Sequence, residues 1–158
     1  MTKLKEAINH FKAIDTYKEP SSIHWFVWLM ENPKSPISLT GAIDLYNHDI
    51  IHILLGRGMD VRDEAMVIGF TMGNSEYTNS FIKWLFTLFA RRLYPDGYRF
   101  SDADIKEYNR GYSYGITRRK RNIHMEKFDV EEYVVDIRKR FGINQLDLRN
   151  TLIYQHFK

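Results

Sequence analysis

Apolar positions recur along this chain at helical spacing. Leu4, Ala7, Ile8 and Phe11 fall on one stripe, which predicts a first helix from about Lys3 to Ile14. Ser21 or Ser22 opens a short aromatic second helix, IHWFVWLM, and ENPKSPIS, with Pro33 and Pro36, is a connection. Ser38 or Thr40 caps a third helix. Its Ile50, Ile51, Ile53, Leu54 and Leu55 cover nearly the whole circumference, the mark of a buried helix. Gly56, Arg57 and Gly58 break that helix, and Asp60 stands where an N-cap belongs for a fourth, from about Val61 through Glu64 and Phe70. Gly73, Asn74 and Ser75 loosen or end it.

The fifth segment, FIKWLFTLFARRLY, is apolar on most faces, so it is expected either at the centre of the fold or as the wall of a lipid-sized groove lined by Trp84, Leu88 and Phe89. Tyr94 to Gly97 form a turn. Ser101 with Asp104 resembles a capping box for a sixth helix, and Asp129 with Glu132 another for a seventh that stops at Gly142. The tail after Ile143 reads equally as a short helix or strand. The pattern predicts an all-α, single-domain bundle of about seven helices over residues 1–158, with the third and fourth packed as a helical hairpin.

Composition narrows the chemistry. At 158 residues the chain can bury a real core, and its 15% aromatic content favours a core or pocket lined with rings. A net charge of +3 gives no reason to expect nucleic acid, while permitting weak attraction to an acidic membrane surface. RRKR, from Arg118 to Arg121, reads first as solvated surface and second as a contact for lipid phosphates. Met30, Met59, Met66 and Met72 read as core filler before a lipid channel. Without cysteine, disulfides and thiolate metal sites are excluded, and any metal must take nitrogen and oxygen ligands. The N-terminus carries no signal-peptide pattern, and the apolar stretch from Phe81 to Tyr94 is interrupted by Lys83, Arg91 and Arg92, short of the roughly 20 residues that span a bilayer. The expectation is a cytoplasmic protein, soluble or peripheral on the inner face of a membrane.

One constellation carries candidate chemistry. HDIIH sets His48 and His52 one turn apart on one helical face, with Asp49 about 60° to the side of His52. If the third and fourth helices are antiparallel, Glu64 lies about one turn past the connection. It then faces His52 across an interaxial gap of roughly 8–10 Å. Two imidazoles and acids on a buried helix need a metal, a salt bridge or a water-filled cleft. His48, Asp49, His52 and Glu64 are therefore the predicted ligands of one divalent ion, with zinc, iron or manganese all suited to this donor set. Asp44, one turn before His48, is placed to accept the free N–H of that imidazole or to serve as a first-turn acid.

With its eleven intervening residues, HDxxH-x11-E resembles the signature of the Coq-four family of ubiquinone-biosynthesis proteins. The glycine after Leu54–Leu55 and the Glu64–Ala65 pair match as well. Weaker similarity follows in NRGYSYG, with Arg110 and Gly111, and in VVDIRKRFGI, with Arg138, Gly142 and Ile143, so that the resemblance spans roughly residues 48–143. Asp63 stands where relatives commonly carry Gly. The resemblance implies an all-α protein that binds a divalent ion, often zinc, through the signature and holds an isoprenoid or prenylated quinone precursor beside it. It further implies association with membranes and other quinone-biosynthesis enzymes, and a link to oxidative decarboxylation at C1 of a prenylated benzoquinone precursor.

Two other readings remain open. One is a non-catalytic lipid-binding scaffold for such enzymes, in which the ion only fixes the hairpin. The other is an HD-type metal-dependent phosphohydrolase using His24, His48–Asp49 and a distant Asp102 or Asp104; it leaves His52 and Glu64 without a role. The zinc-protease motif fits less well, because Asp49 replaces its catalytic Glu.

Overall fold

A computed structural model describes residues 1–13, 45–118, 122–144 and 148. Within them the fold is all-α, with six helices: α1 (Leu4–Lys12), α2 (Leu45–Leu55), α3 (Val61–Asn74), α4 (Ser80–Arg92), α5 (Asp102–Ile116) and α6 (Val134–Phe141). A single 3-10 turn, Ile123–Met125, precedes α6. The aromatic second helix expected at IHWFVWLM, with Asp44, His24 and most of RRKR, lies outside the described residues.

Local signals set most helix ends. The Asp60 side chain accepts the Asp63 N–H at 2.8 Å and starts α3. Ser101 and Asp104 form the reciprocal capping box expected at α5. Gly142, at φ 68°, ends α6, and the Ile143 N–H reaches back to the Arg138 carbonyl at 2.8 Å. Asp129 does not cap α6. Its carboxylate accepts the Glu131 N–H within a preceding turn, and the helix starts after Tyr133 with no side-chain cap. Backbone pairing explains the later start: the Val134 N–H donates to Thr2 and the Leu4 N–H to Glu132, so the segment before α6 runs extended against the entry to α1.

The centre of the fold is α3. From Ala65 to Asn74 all of its residues but half-buried Ile68 are buried. Met66, Val67 and Phe70 join one apolar core with Leu4 and Ile8 of α1, Ile50, Ile51 and Leu54 of α2, and Ile137 and Phe141 of α6. Ala65 and Met72 join a second with Phe86, Ala90, Tyr94, Phe100 and Tyr108. Met66 and Met72 are thus core filler. By contrast α4 is peripheral: it buries Phe86 and Ala90, whereas Phe81 is 64% and Trp84 58% exposed.

Glycine explains why α3 takes the central place. A Cβ at Gly69 would lie 2.1 Å from the Tyr108 carbonyl oxygen, and one at Gly111 would lie 2.1 Å from that of Met66. The same holds for Gly73 against Tyr112 and Gly115 against Phe70. Paired positions rise together along both chains, so α3 and α5 run parallel with their backbones in direct contact, closer than any side chain would allow.

From α6, Arg138 secures the end of the helix that carries HDIIH. Its Nε donates to the Leu54 carbonyl and its Nη2 to the Ile53 carbonyl, each at 2.8 Å, satisfying acceptors that the last turn of α2 leaves open. Arg138→Ala is expected to cost about 2 kcal/mol in urea-unfolding free energy, with Arg138→Lys recovering only part, because two charge-assisted bonds to a fixed pair of carbonyls need the guanidinium fork.

Candidate metal centre

The connection between α2 and α3 closes tightly. Gly56 takes φ 64°, and the Arg57 N–H donates to the His52 carbonyl at 2.9 Å. Asp63 then locks the turn by accepting the Gly58 N–H at 2.7 Å and pairing with Arg57 Nη1 at 3.2 Å. The residue that departs from the glycine common in the resembling family is therefore a brace for the loop. With the loop fixed, the first turn of α3 faces the last two turns of α2.

The result is a convergence of His48, His52 and Glu64, whose ligand atoms all lie within 4.8 Å of one another. Glu64 Oε2 is 3.4 Å from Nε2 of each histidine. The two rings stand edge to face, centroids 4.7 Å apart, and Phe11 of α1 lies against His52 with centroids 5.7 Å apart. His52 is fully buried, whereas the side chains of His48 and Glu64 retain 14% and 26% exposure, so the group opens to solvent on one side.

Two observations fit this group to a cation. His48 Nε2 and His52 Nε2, the two nitrogens that face Glu64, are buried without a hydrogen-bond partner, a costly arrangement for a purely structural cluster. At 3.4 Å, moreover, the carboxylate is too far for a good N–H···O bond. Donors placed about 2.0–2.1 Å from a tetrahedral ion lie about 3.4 Å from each other, so the spacing suits a shared ion better than a direct bond.

Electrostatics point the same way. Burial, only partly opposed by Glu64, pushes His48 down to about 4, leaving it a neutral donor at physiological pH. At His52 burial also pulls downward, but the Glu64 carboxylate, with Asp49 adding to it, outweighs that pull and raises the pKa. The Glu64 carboxylate thus favours positive charge at His52, the sign that a bound cation would supply. Glu64, in the first turn of α3, also sits where the helix favours negative charge.

Of the four ligands read from HDxxH-x11-E, three converge. Asp49 is 9% exposed and acts on His52 through its charge, but it is not one of the three. Trp84, Leu88 and Phe89 lie on α4. Phe89 packs on the second core, to which α2 contributes nothing, and Trp84 is exposed. Asp104 is committed to the Ser101 cap, and Asp102 pairs with Arg91. Of RRKR, Arg118 stacks on the Tyr114 ring, 3.8 Å from its centroid, and donates to the Gly142 carbonyl. Arg57 and Phe11 were not legible as site residues. A basic residue between two glycines in a ligand hairpin was the available signal for the first, and nothing local marked the second.

No helix among the described residues is long and apolar enough to cross a membrane. No family model, curated protein or solved structure matches this chain.

Proposed function

We propose that this chain is a metal-dependent helical protein of quinone biosynthesis that binds a prenylated quinone precursor and releases its C1 carboxyl group by oxidative decarboxylation. The observation that carries the metal part of this reading is the pair of buried imidazoles whose unpartnered nitrogens meet one carboxylate across the α2–α3 hairpin. The substrate part rests on the HDxxH-x11-E resemblance. His48, His52 and Glu64 are the proposed ligands, with Asp49 as a fourth or as the charge beside them. When bound, a zinc, iron or manganese ion supplies Lewis-acid or redox activation of the substrate head group.

The protein side of the chemistry follows from the exposure gradient. Full burial of His52 and the Phe11 ring close the inner side of the group to water. The partly exposed His48 and Glu64 side chains leave the outer side for an incoming head group. In this reading the carboxyl-bearing end enters from that outer side, and the isoprenoid tail stays outside the group.

A second reading, a non-catalytic lipid-binding scaffold, is favoured by one observation. Phe81 and Trp84, with ring centroids 5.9 Å apart, are both more than half exposed on α4, and Arg92 is exposed on the same helix. Such a face suits a membrane surface or another enzyme of the same pathway. The phosphohydrolase reading is weaker, because Asp102 and Asp104 have other partners. Metal-loaded protein, a prenylated hydroxybenzoate labelled in the carboxyl carbon borne by C1 and dioxygen are expected to yield labelled carbon dioxide, and Glu64→Gln to yield none. Absence of turnover with zinc, iron and manganese alike would leave the scaffold reading in its place.

A further inference from the structure

The loop that joins the two ligand helices carries a guanidinium in an unusual state. Arg57 is only 7% exposed, although arginine ordinarily keeps its head in water. Its Nη1 is satisfied by Asp63, but its Nη2 is buried with no hydrogen-bond partner. A buried donor on a charged group that lacks an acceptor is among the more costly defects a fold can hold.

Asp63, the only carboxylate paired to Arg57 among the described ion pairs, is divided between Nη1 and the Gly58 N–H. A second guanidinium lies close. Arg110 donates to Glu107, itself 2% exposed, and to the Leu148 carbonyl. Burial, and behind it the positive charge of Arg57, lowers the Arg110 pKa despite Glu107, so two guanidinium groups share this neighbourhood. The Arg57 backbone, bonded to the His52 carbonyl, ties this neighbourhood to the helix of the metal ligands.

We propose that Arg57 is a ligand-binding residue, whose Nη2 holds an oxyanion, carboxylate or phosphate, of the molecule that binds at the His48–His52–Glu64 centre. The inference rests on the metal-centre reading above and adds the group by which the ligand is gripped. Guanidinium is the side chain suited to this task, since its fixed planar fork can give one edge to Asp63 and the other to an incoming oxygen.

The test uses the full chain, titrated with zinc and then with 4-hydroxybenzoate or inorganic phosphate, the two probes separating a carboxylate source from a phosphate source. With 15N-arginine label, one probe is expected to shift the Arg57 guanidinium resonance. Arg57→Lys is expected to keep zinc stoichiometry and affinity while binding that probe at least about tenfold more weakly. The inference is overturned if neither probe moves the Arg57 resonance, or if Arg57→Lys binds both as the wild type does. Should Arg57→Lys fail to fold, the wild-type resonance decides alone. Failure of the wild type to bind zinc removes the metal-centre reading instead, and the Arg57 resonance, followed with probe and no metal, still decides the role of Arg57.

Discussion

His52→Ala is expected to weaken zinc binding by on the order of 100-fold or more, since loss of a group that merely orients a ligand already costs about 10- to 100-fold. In the wild type, zinc at about 100 times its Kd contributes about 2.7 kcal/mol, a rise in Tm of roughly 5–10 °C for a chain of this size. The variant should lose that rise. Its metal-free stability should also fall, because the fully buried imidazole packs on Phe11 and leaves a cavity, so the diagnostic quantity is the zinc-induced rise in each protein. Glu64→Gln keeps the shape but removes the charge and should fall in the same class. Asp49→Asn separates a fourth ligand, with a comparable loss, from a neighbour acting through charge alone, with a smaller one.

The sign of the pH dependence follows from His52. Its pKa is raised, so a proton must leave before the nitrogen can ligate, and zinc affinity should climb as pH rises through that pKa and fall in acid. Calorimetric titrations at several pH values in buffers of different ionisation enthalpy would register the released proton. Undiminished stoichiometry and affinity in His52→Ala would remove His52 from the site.

The second large effect is expected from a residue on a helix that supplies no ligand. Gly111→Ala should destabilise the fold by about 3 kcal/mol or more, since the added methyl would meet the Met66 carbonyl oxygen and the Phe70 nitrogen, both backbone atoms that cannot rotate aside. Relief requires α3 and α5 to move apart, and α3 carries Glu64, so zinc affinity should fall with stability. Gly97→Ala is the control. Gly97 has φ 89° and nothing within 4 Å of a new Cβ, so the substitution pays only local backbone strain, about 1–2 kcal/mol. Denaturant unfolding that places the two variants within error of each other would contradict the close parallel contact.

These two predictions mark how differently site and core were encoded. The metal group was legible because its parts are local. His48 and His52 are brought together by the helical repeat itself, and a short Gly-Arg-Gly break followed by the Asp60 cap leaves Glu64 little choice but the facing turn. The Ser101–Asp104 box and the Gly142 stop were readable for the same reason. Asp129 misled because its carboxylate serves a turn as readily as a helix, and backbone pairing with Thr2 and Glu132 delays α6 until after Tyr133.

Apolar richness misled more seriously. FIKWLFTLFARRLY has the stronger claim by composition to the centre of the fold, yet α4 leaves Phe81 and Trp84 in solvent while α3, with two glycines, occupies it. Hydrophobicity reports that a face favours burial, not which helix reaches it first. Direct backbone contact depends on Gly69 and Gly73 admitting Tyr108 and Tyr112 while Gly111 and Gly115 admit Met66 and Phe70 some forty residues away, a match no single window of sequence displays.

By itself, then, the sequence determined an all-α chain, most of its helix ends and a hairpin that turns two imidazoles toward one carboxylate, because each depends on interactions within about a dozen residues. Tertiary structure alone decided that α3 is the centre, that Phe11 backs His52, that Arg138 holds the end of α2 and that Arg57 is buried with a donor unpaired. Each of these needs a partner from another helix or a buried environment, and burial is a property of the packed whole.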